Sequence, residues 1–230
     1  MPDWLPEFLA AAIAAILAIT LHEAAHGFAA LWLGDDTARR AGRLSINPLR
    51  HVDLVGTILV PGFLVVSQLL TIGTIQVMFG WAKPVPVDIR RLNNPRFGMV
   101  GVAAAGPLVN VLLAFVAALF GHVADDLSMP PDLAQWVYRF LSLLILSNLV
   151  LGLFNLIPIP PMDGGRILGG LLPPRVGIPF LRLERAGLLL VMLVLFVLPQ
   201  LVPAWAPMDW LLRFAVQPAF GIIMRAAGYA

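Results

Sequence analysis

His22-Glu23-Ala24-Ala25-His26 sets two imidazoles four residues apart around a carboxylate, inside an apolar stretch that runs from Phe8 to Leu33. On a helix, positions i and i+4 lie on one face a turn apart, so both rings reach one metal ion and Glu23 is left free to act. Imidazole suits zinc, and a catalytic zinc site has three protein ligands and keeps its fourth position open. Zinc lowers the pKa of a water to about 7 and polarises a carbonyl, while a neighbouring carboxylate takes the water's proton as general base. The chemistry is hydrolysis. The competing reading of the same three groups is a buried polar patch, or the proton- or cation-conducting chain of a transporter. The cost of gathering three ionisable side chains within an apolar span favours metal ligation.

A third donor is needed, and the chain has no cysteine, so it must be nitrogen or oxygen. His51 and Asp53 follow the first helix closely and are possible accessory donors; His122, beside Gly121 at a helix end, reads as a solvated interfacial residue. Asp163 lies in Asn155-Leu156-Ile157-Pro158-Ile159-Pro160-Pro161-Met162-Asp163-Gly164-Gly165, where three prolines forbid a regular helix and two glycines permit a tight turn. An acid presented there is either a cap for the segment from Arg166 or a ligand, and spacing does not choose between them. Nitrogen and oxygen donors also admit divalent ions other than zinc.

The elements that must position these groups are membrane spans. Of 230 residues 60% are hydrophobic and 12% charged, with a mean hydropathy of +0.89, which excludes a soluble domain. Apolar stretches run from Phe8 to Leu33, Leu54 to Gly80, Met99 to Phe120, about Leu133 to Leu156, about Ala186 to Leu198 and about Met208 to Met224. The fold class expected is an all-α polytopic membrane protein of about five to six transmembrane segments. Gly56, Pro61-Gly62 and Gly73 interrupt the second stretch. If it crosses fully, Lys and Arg divide 9 against 6 between the two faces; if it re-enters, they divide 13 against 2, only Arg139 and Arg213 lying opposite. The positive-inside rule therefore favours a re-entrant segment, with the N-terminus outside and loops 34–53, 81–98 and 157–185 in the cytoplasm. Counting eleven residues from His22 to Leu33 places the site roughly 16 Å below the helix end. The net charge of +2 comes from 14 arginines and one lysine against 13 acids, and it implies no nucleic-acid partner.

Three motifs in this order resemble the site-2 protease family of intramembrane zinc metalloproteases. They are H-E-x-x-H in an N-terminal span, A-G-P-x-x-N at Ala105, Gly106, Pro107 and Asn110, and N-x-x-P-x-P-x-x-D-G-G at 155–165. The resemblance covers roughly residues 15 to 170 and implies one Zn2+ per chain held by His22, His26 and Asp163. It further implies Glu23 as catalytic base and Asn155 as a group that positions substrate or the developing oxyanion. It implies an irregular, partly β segment between the first helix and the A-G-P helix; within it, residues Gly80 to Val87, Val85 and Val87 among them, are either an extended edge that pairs with unwound substrate or a plain proline-rich loop. Asn110 and Gly106-Pro107 are expected to serve helix packing. The organisation expected is a catalytic membrane core at 1–170 and two C-terminal transmembrane helices at 171–230, a minimal form without PDZ or CBS domains.

The resulting expectation is a zinc metalloendopeptidase that cuts membrane-spanning substrates within or near the bilayer. Such a substrate resembles an anti-sigma-factor-like regulator already trimmed by another protease, and the location expected is a bacterial cytoplasmic membrane. The rivals are a membrane metalloprotease that cuts outside the span and a divalent-cation or proton transporter. Ser142 and Ser147 lack a nearby base, and no G-x-G-x-x-G follows a strand, so serine-hydrolase and dinucleotide readings fall away.

Overall fold

The computed structural model describes residues 4–71, 73–74, 80–202 and 204–229. It is all-α, with no strand among the described residues. Helix α1 spans Trp4–Trp32; α2, Leu54–Thr71, opens with a π-helical turn; α3 spans Pro95–Asp126 and α4 Pro131–Asn155. These four are long and apolar enough to cross a membrane. A short α5, Asp163–Leu171, and α6, Pro174–Arg182, follow. Helical runs at 184–201 and 207–226, each with an internal π-helical turn, occupy the two C-terminal stretches.

The helices begin where local chemistry starts them. Asn94 Oδ1 accepts from the Phe97 amide at 3.1 Å with Pro95 in the first turn, and Pro131 opens α4. Asp53 Oδ1 accepts from the amides of Val55 and Gly56 and starts α2.

Helix α3 is the centre, packed by α1, α4 and α5. Its buried face carries Gly98, Ala103, Gly106, Ala114, Ala117, Ala118 and Ala124. Lipid gives helices no hydrophobic reason to associate, so small side chains that admit close backbone approach carry the packing. Helix α1 answers with Ala10, Ala14, Ala18, His22, His26 and Ala30, all buried and all four residues apart along one ridge. Val216 and Ile223 of the last helical run, with Ala227 just past its end, join Ala114, Ile145 and Leu149 in one apolar cluster. His122, near the end of α3, keeps a half-exposed side chain as expected; its ring also stacks on Tyr229, and Nε2 donates to the Ala227 carbonyl at 2.6 Å, tying residues 227–229 to α3.

Residues 80–88 run without helix or strand between α2 and the turn at Ile89–Arg91. The chain leaves into α2 beside the point where it returns. The Trp81 amide donates to the Gly56 carbonyl at 3.0 Å, and Thr57 Oγ1 donates to the Trp81 carbonyl at 2.9 Å. Residues 72 and 75–79 of the stretch expected to re-enter lie outside the described residues.

Asp35, fully buried past the end of α1, ties this segment down: its carboxylate accepts from the Thr37 hydroxyl and amide and from the Asp88 amide at 2.6 Å. Burial pushes its pKa up, but the Thr37 and Asp88 hydrogen bonds and the Arg91 charge outweigh that and hold it below the ordinary carboxylate value. A depressed folded-state pKa contributes stability that is present above the unfolded value, about 3.9, and is lost as pH falls through the folded one. Asp35→Asn is expected to flatten that acid limb of the stability curve. It should also cost about 1–3 kcal/mol at neutral pH, because a carboxamide cannot accept from both amides and turns an N–H toward one of them. Thermal unfolding of both proteins between pH 3 and 7 checks this.

Candidate metal centre

The α1 ridge delivers His22 and His26 to α3, which receives each ring on a fixed acceptor. His22 Nδ1 donates to Asn110 Oδ1 at 2.6 Å, and His26 Nδ1 donates to the Val102 carbonyl at 2.7 Å. Val102, Gly106 and Asn110 are spaced by four, so one face of α3 presents acceptor, gap and acceptor. The gap matters. A Cβ at Gly106 would lie 2.6 Å from Cε1 of both histidines and from His26 Nε2, so only glycine leaves the rings room.

Asp163 arrives by a route built from proline and glycine. Helix α4 stops at Asn155, the chain turns through the cis Pro160-Pro161 bond, and α5 begins at Asp163. A Cβ on Gly164 would strike the Leu156 carbonyl, and one on Gly165 would strike the Ile159-Pro160 peptide, so both glycines are needed for α5 to fold back this tightly. Arg96 of α3 holds the other end of α5, donating to the carbonyls of Gly170, Leu171 and Leu172 at 2.6 to 3.0 Å. No side-chain cap forms at the start of α5. Instead the Asp163 Oδ2 stands 3.2 Å from Nε2 of both His22 and His26, which are 3.1 Å from each other.

This donor set fits a cation. Each Nδ1 faces an oxygen that can only accept, so each ring carries its proton there and directs a bare Nε2 inward. Those two lone pairs meet a buried carboxylate oxygen that has no hydrogen-bond partner. Three mutually repelling acceptors at this separation are reconciled by a positive ion. Nitrogen ligands bonded to tetrahedral zinc at about 2.0–2.1 Å lie about 3.3 Å apart, close to the spacing seen.

Glu23, half-buried on the same helix, accepts from the Val85 amide at 3.1 Å through Oε2. Val85 itself is buried, with its methyl group against Gly27, and Val87 packs on Ala30, Leu92 and Val102. The extended segment thus supports the carboxylate. Val85→Pro removes that N–H and is expected to lower peptidase activity about tenfold or more while leaving zinc content near wild type, as paired elemental analysis and cleavage assays would show.

His51 and Asp53 do not join the three gathered donors. His51 is buried, with Nε2 donating to the Ser45 carbonyl at 2.8 Å and its own carbonyl accepting from Lys83. Asp53 is the cap of α2 already described, so both are engaged in holding loops. The Asn155 Nδ2 donates to the Leu151 carbonyl at 3.0 Å within its own helix. Sequence reasoning assigned Asn110 and Gly106 to helix packing; in the fold they touch the histidines directly. The signal was present, since an asparagine in an apolar span four residues from a glycine puts both on one face.

A helical membrane core with this centre defines a membrane metallopeptidase. Residues 122–199 match the model of peptidase family M50. The chain is 42% identical over 189 residues to "Putative zinc metalloprotease YwhC" of Bacillus subtilis, covering 81% of this chain and 80% of that protein. It is also 40% identical over 83 residues to "Zinc metalloprotease MJ0392" of Methanocaldococcus jannaschii, covering 36% of this chain and 22% of that one. "Putative zinc metalloprotease MJ0611" of the same archaeon is 40% identical over 67 residues, 29% of this chain and 31% of that one. No solved structure matches. The chain belongs to peptidase family M50, the site-2 protease family: it is an integral membrane zinc metalloprotease.

Proposed function

We propose that this protease cuts peptide bonds of membrane-spanning proteins within or near the bilayer, as a step of regulated intramembrane proteolysis. The observation that carries the reading is depth: His22, His26 and Asp163 converge in the buried interior, with His26 and His22 about 9 and 15 Å from the α1 end at Trp32 by helical rise. In this reading His22, His26 and Asp163 hold the zinc. When bound, zinc polarises the scissile carbonyl and makes a water acidic enough to attack near neutral pH.

The chain's own residues do the rest. Glu23 takes the proton of the attacking water on the carboxylate oxygen that Val85 does not hold, and returns it to the leaving amine. Asn155 spends one amide hydrogen on Leu151 and has a second for a substrate oxygen. The extended residues around Val85 and Val87 offer backbone groups to an unwound substrate strand. Substrate must unwind, because a formed helix keeps its peptide groups hydrogen-bonded; Pro or Gly near the cut eases this.

For topology, the hydrogen bonds joining Trp81 to Gly56 and Thr57 support entry and return of the 54–80 segment on one face. The basic loops 34–53, 81–98 and 157–185 then share the cytoplasmic side, with the N-terminus outside, in a bacterial cytoplasmic membrane. A substrate of fitting chemistry is a single-span regulator of the anti-sigma-factor kind, trimmed beforehand so that its span can enter.

The test is cleavage of a single-span protein by enzyme reconstituted in liposomes, with the cut mapped by mass spectrometry. A cut inside the apolar stretch or within a turn of its cytoplasmic edge is expected, faster when Gly or Pro sits nearby. Cuts confined to the soluble tails would contradict the proposal.

A further inference from the structure

Behind His22 a chain of hydrogen bonds runs through three helices and ends on a backbone carbonyl. Asn110 of α3 and Asn148 of α4 are both completely buried. Asn148 Nδ2 donates to the Leu144 carbonyl of its own helix at 2.9 Å. A carbonyl can only accept, so the Asn148 amide group must face Leu144 and its Oδ1 must face Asn110. There it accepts from Asn110 Nδ2 at 2.8 Å, while the Ala18 carbonyl receives the same group at 3.3 Å. With its amide committed, Asn110 can turn only Oδ1 toward His22, and that oxygen takes the Nδ1 hydrogen at 2.6 Å.

We propose that Asn148 is a positioning residue for the metal centre, acting through Asn110 to hold the His22 proton on Nδ1 and so keep Nε2 bare toward the metal. The proposal rests on the reading of His22 as a zinc ligand. Each link has its direction set by the one before it. Replacing the Asn148 oxygen with a methyl group leaves the Asn110 amide only its longer 3.3 Å bond to the Ala18 carbonyl, so a flip that sets the amide against His22 Nδ1 becomes less costly. The ring then meets a donor, moves its proton to Nε2, and no longer offers that atom to a cation. The two helices meet closely enough for this pair because α4 carries Gly152 opposite Asn110, where a Cβ would lie 3.0 Å from the Asn110 Cβ.

A pair of buried carboxamides also glues helices together in lipid, and that role alone predicts something different. Zinc affinity distinguishes the two, measured by chelator competition in detergent beside the thermal unfolding of each zinc-free protein. The variants are Asn148→Leu, Asn110→Leu, the double variant, and Asn148→Asp. A ligand's hydrogen-bond partner typically contributes about 10–100-fold to metal affinity.

Asn148→Leu is expected to weaken zinc about tenfold. The double variant should bind no more weakly than Asn110→Leu alone, because one residue acts through the other. Asn148→Asp, neutral when buried, keeps the acceptor for Asn110 and gives its acid proton to Leu144, so it should restore affinity to within about threefold. Should the leucine variant not fold, Asn148→Thr, which lacks an acceptor at carboxamide length, takes its place.

Unchanged zinc affinity in Asn148→Leu, losses that add in full in the double variant, or failure of Asn148→Asp to restore binding would each overturn the proposal. If wild type binds zinc no better than His22→Ala, it is the reading of His22 as a ligand that fails.

Discussion

Glu23→Gln is expected to keep zinc bound and to lower kcat by about 10²–10⁴-fold, the contribution of a positioned general base. The substitution isolates the proton. A glutamine oxygen still accepts from the Val85 amide, now at 3.1 Å from Glu23 Oε2, so the side chain keeps its place. What it loses is the second oxygen, the one proposed to take up the water's proton. The three proposed metal donors, His22, His26 and Asp163, are untouched. Single-turnover cleavage with zinc content measured on the same preparation checks this. A variant with full zinc and more than about a tenth of wild-type kcat would remove Glu23 from the base role.

Gly106→Ala is the second large effect, and it comes from one methyl group. That carbon would stand 2.6 Å from His26 Nε2 and from Cε1 of both rings. The rings cannot retreat: Asn110 and Val102 hold their far nitrogens in bonds of 2.6 and 2.7 Å. Relief requires either breaking those bonds or parting α1 from α3, at an overpacking cost of about 1–3 kcal/mol. Zinc affinity should fall by at least the roughly 10–100-fold that follows loss of a ligand's support. Gly101→Ala is the control on the same helix, since its Cβ meets only the flexible end of Leu33 at 3.2 Å. It should bind zinc as wild type does. Equal affinity in both variants would mean that the rings do not depend on the gap at Gly106.

The parts of the site readable in the sequence were those that depend on local spacing. His22 and His26 share a face because helical periodicity puts them there, and the prolines and glycines of 155–165 announce a turn that returns the chain. Long-range partners were less legible. Whether Asp163 caps a helix or faces the histidines depends on where α5 lands against α3, and that is set by Arg96 clamping its far end 67 residues earlier in the chain. His51 and Asp53 have ligand chemistry and lie near in sequence, yet His51 Nε2 is spent on the Ser45 carbonyl and the Asp53 carboxylate on the start of α2. Asn110 shows the opposite failure: a packing motif in an apolar helix carried a polar side chain whose purpose appears only when α1 lies beside it.

The spans divide in the same way. Helices α1, α3 and α4 follow their apolar stretches closely, α3 running unbroken through the internal Pro107. The second stretch and the last two contain π-helical turns, at Leu54–Leu59, Leu193–Val197 and Leu212–Val216.

Elemental analysis of detergent-purified protein tests the central claim most directly, with wild type beside His22→Ala and Asp163→Ala. The prediction is about one zinc per chain in wild type and a fall to about a tenth or less in both variants, as expected when one of three protein ligands is removed. If Asp163→Ala kept zinc at the wild-type level, the third donor would lie elsewhere and the centre built on His22, His26 and Asp163 would be wrong.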